Sequence, residues 1–219
     1  MKYGGNSARL KHVFITHEHS DHFRTYPLGM RNENWFSHGF EKPLHIYGRP
    51  TVMARIYDDC GLCAQGELSL DLHVLQPFEP VELSGEDMTF YPLPANHYHI
   101  PGEAVFYVIR HGKTWMLIAN DTGIPHESVW KWLEDHVSHL DIVVADCTME
   151  LLDCRNDHMG GKDALEFHDR LQEMGIITTG TRYVMNHFSH NGGALHAEME
   201  DYFNPYGIEV GYDGMVIEY

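Results

Sequence analysis

Thr16-His17-Glu18-His19-Ser20-Asp21-His22 places three histidines and an aspartate within six consecutive positions, at the end of the apolar, β-branched run Val13-Phe14-Ile15-Thr16. The run reads as a buried strand, so the cluster sits where a strand ends. Side chains alternate with period two in extended chain, so His17 and His19 point to the same side. A turn after Ser20 can bring Asp21 and His22 beside them. Neutral imidazoles and a carboxylate suit zinc, manganese, iron or nickel, and four ligands on one short segment can serve two adjacent ions.

His17-x-His19-x-Asp21-His22 resembles the signature of the metallo-β-lactamase-fold hydrolases. The resemblance implies an α/β fold, a four-layer αββα sandwich, in which the first two histidines hold one metal and the aspartate and last histidine hold the second. In that fold several strands precede the motif, whereas about ten residues precede its strand here. The N-terminal half of the sandwich is therefore expected to be incomplete. An uncovered sheet edge invites pairing with another chain, so a homo-oligomer is expected.

The 219 residues suggest one domain, 1–219, with enough length for a substantial core. No apolar run is long enough to span a bilayer, and Met1-Lys2-Tyr3-Gly4-Gly5 does not begin a signal peptide, so a cytoplasmic protein with no membrane partner is expected. Cys60, Cys63, Cys147 and Cys154 fit a reducing compartment better than a disulfide scaffold. Cys60-Gly61-Leu62-Cys63 has no second pair at zinc-ribbon spacing and reads as buried or incidental thiols, with a structural metal or redox role as the alternative. The formal net charge is −17, from 15 basic and 32 acidic residues. Such a surface repels a polyphosphate backbone, which disfavours nucleic acid. A small phosphate ester drawn in by local metal charge is compatible with it.

Along the chain, a short helix and loop are expected over 23–34, with Trp35 and Phe36 adding aromatic surface. A strand follows at Leu44-His45-Ile46-Tyr47, and a helix from Pro50-Thr51 toward Cys60. Short strands then follow at 72–75, 81–83, 88–93, 104–110 and 114–119, the last two joined by a turn at His111-Gly112-Lys113. Helices are expected over 128–133, 162–174 and 194–203, with Gly175 closing the second. Strands are expected at 142–145 and 183–186, and a closing pair around 208–210 and 215–217.

The remaining ligand candidates each follow an expected strand. The resemblance implies that His97, after Asn96, completes the histidine triad of the first metal, with His99 as the competing position. Asp121, in Asp121-Thr122-Gly123, matches the bridging aspartate, and His187 the last ligand of the second metal. Asp146 is a candidate acceptor for a ligand histidine. Two divalent ions, zinc or manganese with iron or nickel as alternatives, would lower the pKa of a water between them and supply hydroxide at neutral pH. Asp21, His158 and His190 are the candidate catalytic groups, the two histidines as proton donors to the departing oxygen. The other histidines, among them His12, His38, His111 and His168, read as surface or packing residues.

Asp146-Cys147-Thr148, His158-Met159-Gly160 with Asp163-Ala164-Leu165, Asn186-His187-Phe188-Ser189-His190-Asn191 and Tyr212-Asp213-Gly214-Met215 are together similar to the phosphodiesterase branch of that superfamily, the phosphoribosyl 1,2-cyclic phosphate phosphodiesterases among them. The resemblance runs from about Lys11 to Tyr219. It implies a metal-dependent hydrolase of a small, open-chain or cyclic phosphate ester, with His158 as proton donor and His190 as a supporting residue. The named enzymes also carry an N-terminal cysteine cluster for a structural zinc, which has no counterpart here. Diiron oxidoreductases of the superfamily usually carry a carboxylate where His19 stands, so His19 favours hydrolysis. Hydrolysis of another ester type, thioester or lactam, and a catalytically silent metal-binding module remain the alternatives.

Overall fold

Alternation along three short strands decides which residues face the core in the first part of the chain. The computed structural model describes residues 7–32, 39–61, 68–98 and 100–218, so Trp35, Phe36, His38, Cys63 and His99 lie outside the described residues. The chain divides into two compact units, 1–76 and 77–219.

In the first unit, β1 (His12–Phe14), β2 (Leu44–Gly48) and β3 (Leu70–Val74) form a parallel sheet in the order β1-β2-β3. Leu44, Ile46 and Leu70 are buried with Phe23, Leu68 and the helix residues Val52, Met53 and Ile56. Their neighbours His45, Tyr47, Asp71 and His73 point to the other face by the period of two. The helix α2 (Pro50–Cys60) follows the short α1 (Tyr26–Gly29) and starts on a proline, whose fixed φ and missing N–H suit a first turn. It buries one stripe, Val52, Met53 and Ile56. Glycine is required at position 48, where a Cβ would stand 2.8 Å from a methyl of Val52. The expected buried strand at 13–16 is instead the half-buried β1, because among the described residues it stands at the edge of this sheet with one strand neighbour.

The second unit holds a seven-stranded sheet in the order β10-β9-β8-β7-β6-β5-β4. β4 (Val81–Leu83), β5 (Met88–Pro94), β6 (Val105–His111) and β7 (Thr114–Ala119) form an antiparallel meander. The two-residue turn Gly112-Lys113 joins β6 to β7, and Gly112 takes the positive φ that such hairpins need. β7, β8 (Ile142–Asp146), β9 (Arg182–Asn186) and β10 (Glu209–Val210) are parallel. Parallel neighbours need a crossover. These are α3 (Glu127–His136), α4 (Gly161–Glu173) and α5 (His196–Phe203), which bury Leu133, Phe167 and Phe203 against Leu117, Val143 and Met185.

One expectation is corrected here. Residues 208–210 do not pair with 215–217. β10 pairs in parallel with β9, since α5 returns the chain beside it and Ile208 and Val210 are buried there. The chain then turns at Tyr212, where the Met215 amide donates to its carbonyl, and Val216 is 74% exposed. No helix among the described residues is long and apolar enough to cross a membrane. Among the described residues Cys147 and Cys154 are free thiols, and burial pushes the Cys147 thiol up, so it stays protonated.

Candidate metal centre

Parallel strands bring their carboxyl ends to one edge of a sheet, and loops leaving that edge can converge. In the second unit the row Ala119, Ala145 and Met185 is paired across β7, β8 and β9, and Asp146 pairs with Asn186 one step on. Asp121 and His187 leave the sheet just beyond this row, both at positive φ, +52° and +63°. Side chains other than glycine rarely adopt that conformation, and it persists only where the surroundings impose it.

Asp146 imposes it. Its carboxylate is sealed from solvent. One oxygen, Oδ2, accepts from the Asp121 amide at 2.9 Å and from the Thr148 hydroxyl at 2.9 Å. The other accepts from the amides of Thr148 at 3.0 Å and Met159 at 2.9 Å. Burial opposes its charge, yet the hydrogen bond from His158, His187 Nδ1 at 3.4 Å from Oδ2 and the amides of Thr148 and Met159 outweigh it and hold its pKa far below the usual carboxylate range.

An ionised Asp146 can only accept, so the Thr148 hydroxyl spends its proton there and must itself accept from His187 Nδ1, 2.7 Å away. His187 is thereby fixed with its proton on Nδ1. Its Nε2 lies 3.3 Å from Asp121 Oδ2. A lone pair facing a carboxylate oxygen at this distance is repulsive unless a cation or a proton lies between them, so this donor pair fits a divalent ion. His158 closes the group, with Nδ1 3.4 Å from Asp146 Oδ2 and 3.9 Å from Asp121 Oδ1. Burial lowers the His158 pKa, but the hydrogen bond to Asp146 and the charges of Asp146 and Asp121 outweigh it and raise the pKa above the ordinary histidine value.

His97 lies on a loop stapled to the same region. The Asn96 amide donates to the Thr122 hydroxyl at 3.0 Å, and the Gly123 amide to the Asn96 carbonyl at 3.0 Å. Gly123 passes so close to the chain at Arg155 that a Cβ would meet its carbonyl oxygen at 2.2 Å. His97 Nδ1 donates to the Asp157 carbonyl at 2.8 Å, which leaves Nε2 as its ligand nitrogen, and its ring stands 4.8 Å from that of His158. His190 is exposed and stands outside this group.

In the first unit the signature forms a tight loop. The amides of His22 and Phe23 both donate to the His19 carbonyl, and buried Phe23 anchors the turn. Arg24 and Arg55 donate to the carbonyls of Ser20 and Glu18. His17 Nε2 is 3.0 Å from His19 Nδ1, and the Thr16 hydroxyl is 3.0 Å from His17 Nδ1. The His22 ring is 4.9 Å from that of His17. Asp21 is 76% exposed at its side chain and 3.4 Å from His22. Strand spacing pointed to most of these residues but not to Thr148, Thr16 or Asp157. Each is fixed by what it orients, and no residue spacing marks it.

A family model described as a beta-lactamase superfamily domain matches residues 4–188. The chain belongs to that superfamily. Its fold family consists in general of metal-dependent hydrolytic enzymes. Among solved structures, the metallo-β-lactamase fold protein YhfI of Bacillus subtilis matches with a TM-score of 0.69 at 15% identity, over 95% of this chain and 78% of that one. A diphosphatase of the PhnP family matches with a TM-score of 0.63 at 19% identity, over 95% and 70%. Human tRNase Z, short form, matches with a TM-score of 0.69 at 18% identity, over 99% and 82%. These likenesses establish the α/β metallo-β-lactamase fold. A comparison with curated proteins gives no significant match.

If Thr148 sets the tautomer of His187, Thr148→Val will lower metal affinity by about 10- to 100-fold and cost about 1 kcal/mol of stability. Competition with a chromophoric chelator reads the first and urea unfolding the second. Unchanged metal affinity would contradict the assignment.

Proposed function

We propose that the protein is a metal-dependent phosphodiesterase acting on a small open-chain or cyclic phosphate ester, with residues 1–219 serving as one domain. In this reading His17, His19 and His97 hold one divalent ion, Asp21, His22 and His187 hold a second, and Asp121 serves both. Zinc or manganese is the first choice, with iron or nickel as alternatives. The observation that carries the reading is the opposition of His187 Nε2 and Asp121 Oδ2 at 3.3 Å, with the histidine proton committed to Thr148.

Bound ions of this kind would polarise a phosphoryl oxygen and activate water. The chain supplies the rest. Asp146 holds the Asp121 amide and, through Thr148, the His187 ring, so both ligands are oriented before substrate arrives. His158 engages Asp146 through Nδ1 and is 24% exposed at its side chain, so its Nε2 is the end that can give a proton to a leaving oxygen. His190 serves as a supporting residue outside this group. The PhnP-family diphosphatase supports a phosphate substrate. The tRNase Z likeness favours RNA as a second reading, against which the formal charge of −17 weighs.

A homo-oligomer belongs to the same proposal. Among the described residues β1 stands at a sheet edge, and Tyr26, Leu195 and Val216 are exposed apolar side chains. Light scattering at micromolar concentration is expected to give a dimer or larger species, and a monomer would contradict it.

Asp121→Asn and His158→Ala are each expected to lower kcat on phosphodiesters by about 100-fold or more, with only the former also reducing bound metal. The His158→Ala loss will be larger for an alkyl than for a nitrophenyl leaving group, since only the former needs the proton. Normal turnover in either variant, or an equal His158→Ala loss on both esters, overturns the roles. A substrate panel of cyclic phosphodiesters, thioesters, a lactam and a short RNA separates the hydrolase readings.

A further inference from the structure

The face of the three-stranded sheet opposite its apolar core carries a second array of histidines, all on strands of the first unit. Parallel register sets His12, His45 and Asp71 in one row and Phe14, Tyr47 and His73 in the next. His45 Nδ1 is 3.0 Å from His73 Nε2 and 3.1 Å from Asp71 Oδ2, and His73 Nε2 is 3.4 Å from the same oxygen. We propose that His45, Asp71 and His73 form a further metal site, which takes a zinc-class divalent ion with water in the fourth position.

Geometry and proton counting carry the proposal. Bonds of about 2.0–2.2 Å at tetrahedral angles put neighbouring ligand atoms about 3.3–3.5 Å apart, close to the three separations here. The pair His17 and His19 in the superfamily signature shows the same 3.0 Å between ring nitrogens. Hydrogen bonds alone do not satisfy the triangle. If both rings donate to Asp71, two N–H groups face each other at 3.0 Å. If one ring withholds its proton it can accept from the other at 3.0 Å, but its nitrogen then stands 3.1 or 3.4 Å from the carboxylate oxygen with no proton between them. A cation satisfies all three atoms at once.

The site is also held in advance. β2 is hydrogen-bonded on both sides, and packing fixes each ring. His45 stacks on His12 at 4.9 Å, and His73 on Tyr47 at 4.5 Å, itself stacked on Phe14 at 4.3 Å. The side chains of His45, Asp71 and His73 are 26%, 50% and 37% exposed, which leaves an entry for an ion and a place for water. An ion here would clip β2 to β3, stabilising the folded state by mass action. None of the three residues has a part in the proposed hydrolysis, so this site stands or falls separately from it.

The test uses the full chain, stripped with chelator and reloaded with Co²⁺, then with Zn²⁺. His45→Gln and His73→Gln are each expected to bind one ion fewer per chain than the parent, and to lose the rise in melting temperature that the ion confers. His111→Gln, at a strand end of the other unit, is expected to change neither. Unchanged stoichiometry and affinity in His45→Gln and His73→Gln overturn the proposal. Should these variants unfold, as judged by circular dichroism, the decision passes to H17A/H19A/D121N/H187A, in which this face is untouched. One Co²⁺ retained per chain supports the site, and none overturns it.

Discussion

The carboxylate of Asp146 is the constraint on which the candidate centre depends. Sealing a charge from water costs on the order of several kcal/mol unless every lone pair is met, and here two amides, a hydroxyl and the amide of Asp121 meet them. Those donors come from two loops, one leaving β7 and one leaving β8. Fixing one acceptor at the end of β8 therefore fixes the Asp121 backbone at an unfavourable φ, the hydroxyl of Thr148 and, through it, the tautomer of His187. Local strain and ligand orientation have the same cause. The glycines at 123 and 160 follow from it, because the loops that supply the donors pass within what would be Cβ contact of their neighbours.

Much of this was legible in the residues. His17 and His19 follow a strand at a period of two with Asp21 and His22 just beyond, Asp121 follows an apolar run, and β8 reads as the apolar run Ile142-Val143-Val144-Ala145 ending in Asp146. What stayed hidden has physical reasons. Thr148 is chosen by the direction of one proton, which no spacing encodes. The pairing of 208–210 depended on where α5 returned the chain, a long-range choice, so the apolar segment 215–217 was a false partner. His45 is far in sequence from Asp71 and His73 and meets them only through parallel register, which period two allows but does not set.

Histidine therefore plays distinct parts in this chain. Where a neighbour takes the Nδ1 proton, as the Thr148 hydroxyl does for His187 and the Asp157 carbonyl for His97, the ring is an oriented ligand. On the face of the three-stranded sheet the rings are oriented by stacking, and their nitrogens converge on a carboxylate. His190 has neither kind of support and stands in solvent. In a chain of formal charge −17, cations are the natural counterpart of both arrays.

The central claim is that the Asp146 and Thr148 relay presents His187 Nε2 and Asp121 to a divalent ion. Anomalous diffraction at the zinc edge, from crystals grown with zinc, tests it most directly. The account predicts a peak about 2.0–2.2 Å from both His187 Nε2 and an Asp121 carboxylate oxygen, with Nδ1 still on the Thr148 hydroxyl. A zinc bound through His187 Nδ1, or no peak at these two residues in zinc-saturated crystals, would contradict it.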